Sequence, residues 1–136
     1  MRFLQCFGRS VAVGMLVVAG PVVLHVVQAQ QAGAKRTELQ RQDLSAPGRE
    51  VVQVRVDLDP GVAFPSHTHP GEEIIYVIEG TWEYKIGGRV VKAEAGDVLF
   101  IPAATIHSAK NVGAGNAAEV ATYVVEKGQP LLTLVE

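Results

Sequence analysis

Cysteine is nearly absent from this chain of 136 residues, which has a single one at Cys6. One thiol cannot form an intramolecular disulfide. Cys6 also lies in an N-terminal segment that we expect to be removed, so the mature protein would have no thiol. Disulfide bonds and cysteine catalysis are therefore not expected in its fold or function.

Clusters of basic residues are lacking as well. The chain has 12 Lys and Arg against 14 Asp and Glu, which gives a net charge of −2 at pH 7. Proteins that bind nucleic acids neutralise phosphates with a stripe of Lys or Arg. The sequence has no such stripe, so we expect no nucleic acid partner.

The first 29 residues have the composition of an export signal. Arg2 and Arg9 precede an apolar run from Val11 to Val27, and Ala29 offers a small residue at a cleavage site. This order is typical of a secretory signal peptide. We predict a signal peptide over 1–29 and a periplasmic or secreted protein. The alternative is an uncleaved membrane anchor, although the apolar run is short for a bilayer core that needs about 20 residues.

Residues 30–48 are polar and show no convincing periodicity. We predict a linker that becomes an N-terminal arm, with a weak helical or extended tendency around Lys35 to Leu44. Disorder is the alternative near Gln30.

Residues 49–136 have the pattern of a single all-β domain. Val51 to Asp57 alternates apolar and polar residues, as a half-buried strand does, and Gly87-Gly88 marks a two-residue hairpin. Short strands with closely spaced turns are typical of a sandwich or barrel. The predicted strands cover 51–57, 74–78, 81–86, 89–93, 98–101, 105–110, 117–125 and 131–135.

The run from Ile74 to Ile78 is apolar on both faces of its strand. One face would enter the core, so the other needs a partner. We predict a homodimer through this sheet. The alternative is cover by the N-terminal arm or a loop.

Two histidines and an acid lie close together in the sequence. Alternate residues of a strand share a face, so His67 and His69 point the same way. Glu73 is a better third ligand than Glu72, because Ile75 and Val77, which would share its face of the strand, suit a protein interior. Two nitrogens and one oxygen form an open-sided metal site.

The missing ligand is expected from His107, the one histidine left outside the predicted signal peptide and the pair. It follows a predicted strand that Pro102 closes, so it lies on a separate segment. Three imidazoles and a carboxylate suit Fe, Mn, Ni, Cu, Co or Zn. One or two coordination positions would stay open for water or substrate.

Two motifs resemble those of the cupin superfamily. The first motif reads Gly61, five residues, His67-Thr68-His69, three residues, Glu73, six residues, Gly80. The second reads Gly96, five residues, Pro102-Ala103-Ala104, two residues, His107, three residues, Asn111. The resemblance covers about residues 51–125.

One position departs from the second motif, because Ala104 stands where the family usually has glycine. If that position needs a positive φ, alanine is strained there. The resemblance implies a jelly-roll β-barrel with His67, His69, Glu73 and His107 as metal ligands. It makes Asn111 a turn-stabilising residue, and it agrees with a homodimer.

Function follows less directly from the sequence. We expect a dioxygenase-type oxidoreductase that acts on a small oxygen-rich substrate. A non-enzymatic module that binds a small molecule or the metal is the alternative, and a purely structural ion is less favoured. The sequence does not reveal a further acid, base, Lys or Arg inside the barrel. Four aromatic residues could line a pocket, although core or interface positions are more usual: Phe64, Trp82, Tyr84 and Phe100.

Overall fold

The computed structural model describes residues 31–136, where the regular structure consists of β-strands. The predicted signal peptide lies outside the described residues. Within residues 31–136 no helix has the length and hydrophobicity to span a membrane. The strands are β1 (Ala34–Asp43), β2 (Arg49–Leu58), β3 (Ala63–Thr68), β4 (Gly71–Glu79), β5 (Thr81–Ile86), β6 (Arg89–Glu94), β7 (Val98–Ile101), β8 (His107–Asn111), β9 (Ala117–Glu126) and β10 (Thr133–Leu134).

Two five-stranded antiparallel sheets form a jelly-roll β-barrel. The first sheet has the order β1-β2-β9-β4-β7, and the second has the order β10-β3-β8-β5-β6. Their inner faces enclose the core, as alternation within each strand requires. In β2, for example, the buried side chains are Val52, Val54, Val56 and Leu58. The predicted all-β fold is confirmed.

The predicted hairpin at Gly87-Gly88 joins β5 to β6. Ile86 pairs with Arg89 across the turn. Both glycines have positive φ, 54° and 83°. A two-residue turn of this kind matches the right-handed twist of the flanking strands, and glycine adopts both angles without strain.

The polar segment that we interpreted as an arm contains a ten-residue strand, β1. It pairs with β2 along its length, from Ala34 opposite Leu58 to Asp43 opposite Glu50. Its side chains are mostly exposed, so no apolar alternation marks it in the sequence. Backbone hydrogen bonds to the edge of the sheet hold it, with an ion pair of 2.6 Å between Arg41 and Glu50.

The outward face of β4 is exposed. Ile74 lies opposite Phe100 of β7 and Tyr76 lies opposite Val98, so these side chains form one surface with Ile78. We call these five residues the outer apolar patch. Tyr76 is 51% exposed and Phe100 60%. Since β1 lies at the opposite edge of the same sheet, the described part of the arm does not cover the patch.

The end of the chain forms a shorter strand than predicted. Only Thr133 and Leu134 belong to β10, where they pair with Thr68 and His67 of β3. The preceding loop includes Leu131, whose carbonyl oxygen contributes to the site described next.

Candidate metal centre

Three histidines from the two sequence blocks meet inside the barrel. His67 in β3 lies directly opposite His107 in β8, and His69 follows the end of β3. One ring nitrogen from each lies within 4.8 Å of the others. All three side chains are buried. The structure thus brings together the three imidazoles that the sequence singled out.

Glu73 reaches the same point from the opposite sheet. Its Oε2 lies 2.9 Å from Nε2 of His107 and 3.4 Å from Nε2 of His69. Ile75 and Val77 are buried on the same face of β4, whereas Glu72 lies on the other face. The choice of Glu73 over Glu72 as the inward-facing acid is confirmed.

Backbone carbonyls fix which nitrogen of each of the three rings carries the hydrogen. The Nδ1 atoms of His67, His69 and His107 lie 2.7, 2.5 and 2.8 Å from the carbonyl oxygens of Pro65, Leu131 and Thr105. A carbonyl oxygen only accepts, so each Nδ1 must carry hydrogen and donate. In a neutral ring, Nε2 then has the lone pair. Metal-binding histidines are oriented in the same way by their outer nitrogen.

Three polar atoms at the centre are buried without a hydrogen-bond partner among residues 31–136: Nε2 of His69, Oε2 of Glu73 and Nε2 of His107. The carboxylate faces both imidazoles, but the alignment is not that of a hydrogen bond. Leaving such groups unpaired costs about 1–3 kcal/mol each. A shared cation would satisfy all three. Ligand bonds of about 2.1 Å at right angles also place neighbouring ligand atoms about 3 Å apart, near the two distances from Glu73. These side chains could therefore hold a divalent metal.

Electrostatics keep Glu73 and His67 in forms suited to a cation. Burial is the main cause that lowers the pKa of His67 to about 4. Burial alone would raise the pKa of Glu73, but the facing imidazoles of His107 and His69 outweigh it and lower that pKa to about 2. The carboxylate also outweighs burial at His107 and raises its pKa. The centre thus has an ionised carboxylate and an imidazole at His67 that stays neutral down to low pH.

The turn before β8 positions His107 and touches His69. Ala104 has φ 58°, so the position does require the left-handed conformation. Its N–H donates to the carbonyl oxygen of His69 at 3.1 Å. The next residue, Thr105, provides the carbonyl that orients the His107 ring. The departure from the motif therefore lies in a strained turn that touches the centre.

A small cavity lies between the histidines and the first sheet. About 20 Å³ of it is open to the centre of a water molecule, which is room for about one water. Among the four aromatic candidates, Phe64, Trp82 and Tyr84 line the cavity, whereas Phe100 lies in the outer apolar patch. Three further polar residues line the cavity and were not singled out from the sequence: Arg36, Glu119 and Tyr123.

Glu119 is the second buried carboxyl that lines the cavity, separate from the histidine cluster. It accepts a short hydrogen bond from the hydroxyl of Tyr84. Burial, with a smaller effect of the charge on Glu73, raises its pKa to about 8. Burial also raises the pKa values of Tyr84 and Tyr123. At neutral pH this wall of the cavity is therefore largely protonated and rich in hydrogen-bond donors.

The sequence does contain a signal for Glu119. It alternates in β9 with Ala117, Ala121 and Tyr123, all of them buried, so strand periodicity alone places its side chain inside the barrel. Arg36 has no comparable signal, because β1 is polar throughout.

Asn111 lies outside the histidine cluster. Its Nδ2 donates to the carbonyl oxygens of Leu58 and Gly115 at 2.9 and 2.8 Å. Its Oδ1 accepts from the N–H of Gly113 at 2.9 Å. The expected role in stabilising a turn is confirmed.

Comparison with known families agrees with the motif and the fold. The model of the cupin domain family matches residues 54–126, which is more than half of the chain. The chain belongs to the cupin family. A solved structure from Klebsiella pneumoniae, described as an uncharacterized conserved protein with a double-stranded beta-helix domain, superposes on this cupin with a TM-score of 0.66 at 26% identity. The match covers 81% of this chain and 90% of that one.

Curated relatives include plant and bacterial proteins. Germin-like protein 1-1 of Oryza sativa is 37% identical over 81 residues, which are 54% of this chain and 37% of that protein. A protein of Thermotoga maritima named oxalate-binding protein is 38% identical over 60 residues, which are 43% of this chain and 50% of that protein. The cupin therefore spans at most half the length of these two relatives.

Proposed function

We propose that this cupin is exported and binds a divalent transition metal through His67, His69, Glu73 and His107. The observation that carries the proposal is the set of unpaired, buried donor atoms that face one another from the two sheets. Backbone carbonyls fix the rings with Nε2 turned inward, which is the arrangement that a metal requires. Fe, Mn, Ni, Cu, Co and Zn all suit this donor set, and metal availability during folding selects among them.

The proposed reaction is a dioxygenase-type oxidation of a small oxygen-rich substrate. Four protein donors leave one or two positions for ligands on an ion of five- or six-fold coordination. The bound ion would supply Lewis acidity to the substrate oxygens. In such a reaction both atoms of O2 enter the organic product, so no separate reductant is needed. The residues that line the cavity would orient the substrate and exclude bulk water.

A binding module without catalysis is the second candidate. One observation favours it: the Thermotoga maritima relative is named for binding oxalate and not for a reaction. The same metal site would then capture a small oxygen-rich ligand in the periplasm or outside the cell.

Elemental analysis of the purified protein tests the metal site. We expect about one transition metal per chain in the wild type and a sharp fall in His107→Ala, with circular dichroism showing that the β-fold survives. Ser108→Ala is the matched control, because Ser108 is the next residue of β8 and points to the other face. Equal metal content in His107→Ala and the wild type would show that the ligand assignment is wrong.

Oxygen uptake separates the two candidate functions. Metal-loaded protein is mixed with a panel of phenols and diketones, and O2 consumption is followed with an electrode. Stoichiometric uptake of O2 with a substrate supports the dioxygenase. A metal-loaded protein that is inert to the panel, yet retains a co-purified small molecule, supports the binding module.

The outer apolar patch is the proposed homodimer interface. Its paired side chains form one exposed apolar surface, and large surfaces of this kind mark interaction sites. We expect Tyr76→Lys to shift the mass measured by light scattering from dimer to monomer. Val90→Lys is the control, because Val90 is 58% exposed but lies in the other sheet. A wild-type monomer, or a Tyr76→Lys dimer, would rule out this interface.

Export is tested by expressing the full chain and fractionating the cells. Mature protein that begins at Gln30 in the periplasm or medium is the expected result. Full-length protein retained in the cytoplasm would refute export.

A further inference from the structure

The His69 ring is oriented by a more distant part of the chain than the other two rings of the centre. For those two, the carbonyl that accepts from Nδ1 lies two residues before the histidine itself. The carbonyl that accepts from His69 belongs to Leu131, which lies 62 positions further along the chain. Leu131 is part of the segment 127–136 that follows β9, which we call the strap. One ligand of the candidate centre is therefore oriented by the strap.

The strap is attached to the barrel through short contacts. Its two-residue strand β10 pairs with β3, and the N–H of Val135 donates to the carbonyl oxygen of Ser66 at 2.9 Å. Strand β9, by comparison, pairs with β2 over ten residues. Residues 127–130 are exposed, while Leu131 is half-buried and packs against the hydrophobic core. Segments with so little buried apolar contact can open locally while the rest of a domain stays folded.

Loss of the Leu131 carbonyl would leave the His69 ring with a competing acceptor. Oε2 of Glu73 lies 3.4 Å from Nε2 of this ring. A neutral imidazole carries one hydrogen, so a ring without its partner at Nδ1 can carry that hydrogen on Nε2 and donate it to Glu73. That tautomer has no lone pair facing the centre and cannot bind a metal there. The strap carbonyl thus selects the tautomer of His69 that binds.

We propose that the strap is a positioning element of the metal centre, and that His69 binds a metal tightly only while the strap is docked. This inference rests on the metal site of the proposed function and adds a second segment on which metal affinity depends. Groups that fix the outer nitrogen of a metal-binding histidine are typically worth about 10- to 100-fold in metal affinity. Since such coupling is reciprocal, a bound metal holds the strap in place by the same factor.

Titration of Zn²⁺ in competition with a chelator at pH 8 measures the effect on affinity. A chain that ends after Pro130 should bind Zn²⁺ roughly 10- to 100-fold more weakly than the wild type. Leu131→Ala keeps the carbonyl but loses the apolar anchor of the strap, so its affinity should lie between those two. A truncated chain that binds as tightly as the wild type would overturn the proposal.

Leu134→Ala is the matched control for Leu131→Ala. It makes the same change in the same strap, at a side chain that is 56% exposed. Because its docking contacts are made by the backbone, its Zn²⁺ affinity should stay within about 2-fold of the wild type. Equal losses in the two leucine variants would also overturn the proposal, and this comparison does not need the truncated chain to fold.

Nitrogen NMR of the metal-free proteins at pH 8 separates positioning from a general loss of structure. In the wild type all three rings should carry hydrogen on Nδ1. In the truncated chain, His69 should gain the Nε2–H form, while His67 and His107 keep hydrogen on Nδ1. Three rings that all keep this form, or that all lose it, would contradict a specific role of the strap at His69.

Hydrogen exchange of the wild type tests the reciprocal effect without any variant. The Val135 amide should exchange roughly 10- to 100-fold more slowly when Zn²⁺ is bound, and an unchanged rate would show that the strap and the centre are not coupled. If the wild type binds Zn²⁺ but the strap has no effect, the metal site stands and this inference alone is wrong. If the wild type takes up no metal, both proposals are wrong.

Discussion

Replacing Ala104 with glycine should stabilise the protein, because a single torsion angle is strained there. Ala104 has φ 58°, where the side chain of an L-residue crowds the backbone at a cost of about 1–2 kcal/mol. Its methyl group is exposed, so removing it loses little packing. Glycine also makes the unfolded chain more flexible, which lowers the free energy of unfolding by about 0.4–1 kcal/mol. The net gain in the free energy of unfolding is about 0.5–1 kcal/mol.

The adjacent Ala103 provides the matched control. It is also exposed but lacks a positive φ, so Ala103→Gly relieves no backbone strain. Its free energy of unfolding should fall by about 0.5–1 kcal/mol, because glycine makes the unfolded chain more flexible. The two glycine variants would then differ by about 1–2 kcal/mol. For a domain of this size that difference corresponds to about 4–16 °C in melting temperature.

Chemical denaturation of metal-free protein, followed by circular dichroism, measures the difference directly. Metal-free samples are needed because bound metal adds its own stabilisation to both variants. If Ala104→Gly proves no more stable than the wild type, or if the two variants lose equal stability, the strain at Ala104 does not exist as described.

Two further substitutions test buried polar groups. Glu119 has a raised pKa of about 8, so its contribution to stability is complete below the usual carboxyl pKa of 4.5 and is lost as the pH rises towards 8. The free energy of unfolding of metal-free Glu119→Gln should therefore rise relative to that of the wild type by on the order of 4 kcal/mol as the pH goes from 4.5 to 9. A difference between the two proteins that does not change with pH would refute the raised pKa. Asn111→Ala removes three hydrogen bonds, including those to the carbonyls of Leu58 and Gly115, and should cost about 3 kcal/mol. A loss below 1 kcal/mol in denaturation would show that water replaces the amide.

Much of the barrel could be predicted from local patterns. The alternation in β2 and the double glycine before β6 each depend on neighbours in the sequence, and both predictions hold in the structure. The side of β4 that faces inward was also readable, because Glu73 shares its face with Ile75 and Val77. Strand periodicity is strong wherever one face is buried and the other is not.

The elements that the sequence predicted least well, β1 and the bounds of β10, depend on distant partners. β1 forms because the edge of β2 offers hydrogen bonds, and its own polar residues carry no periodic signal. The last strand was predicted over 131–135, which is too long, because only Thr133 and Leu134 pair with β3 and Thr68, the partner of Thr133, lies 65 positions away. The inward position of Arg36 depends on that unpredicted β1, so a cationic group in the cavity could not be inferred from the sequence.

The side chains of the candidate metal centre come from both layers of the barrel, with the imidazoles at β3 and β8 on one side and Glu73 in β4 on the other. An ion held there would tie the layers together much as a crosslink does. Its release would then require the layers to part, so ion exchange should be slow and should follow the opening rate of the barrel more closely than the strength of any one coordinate bond.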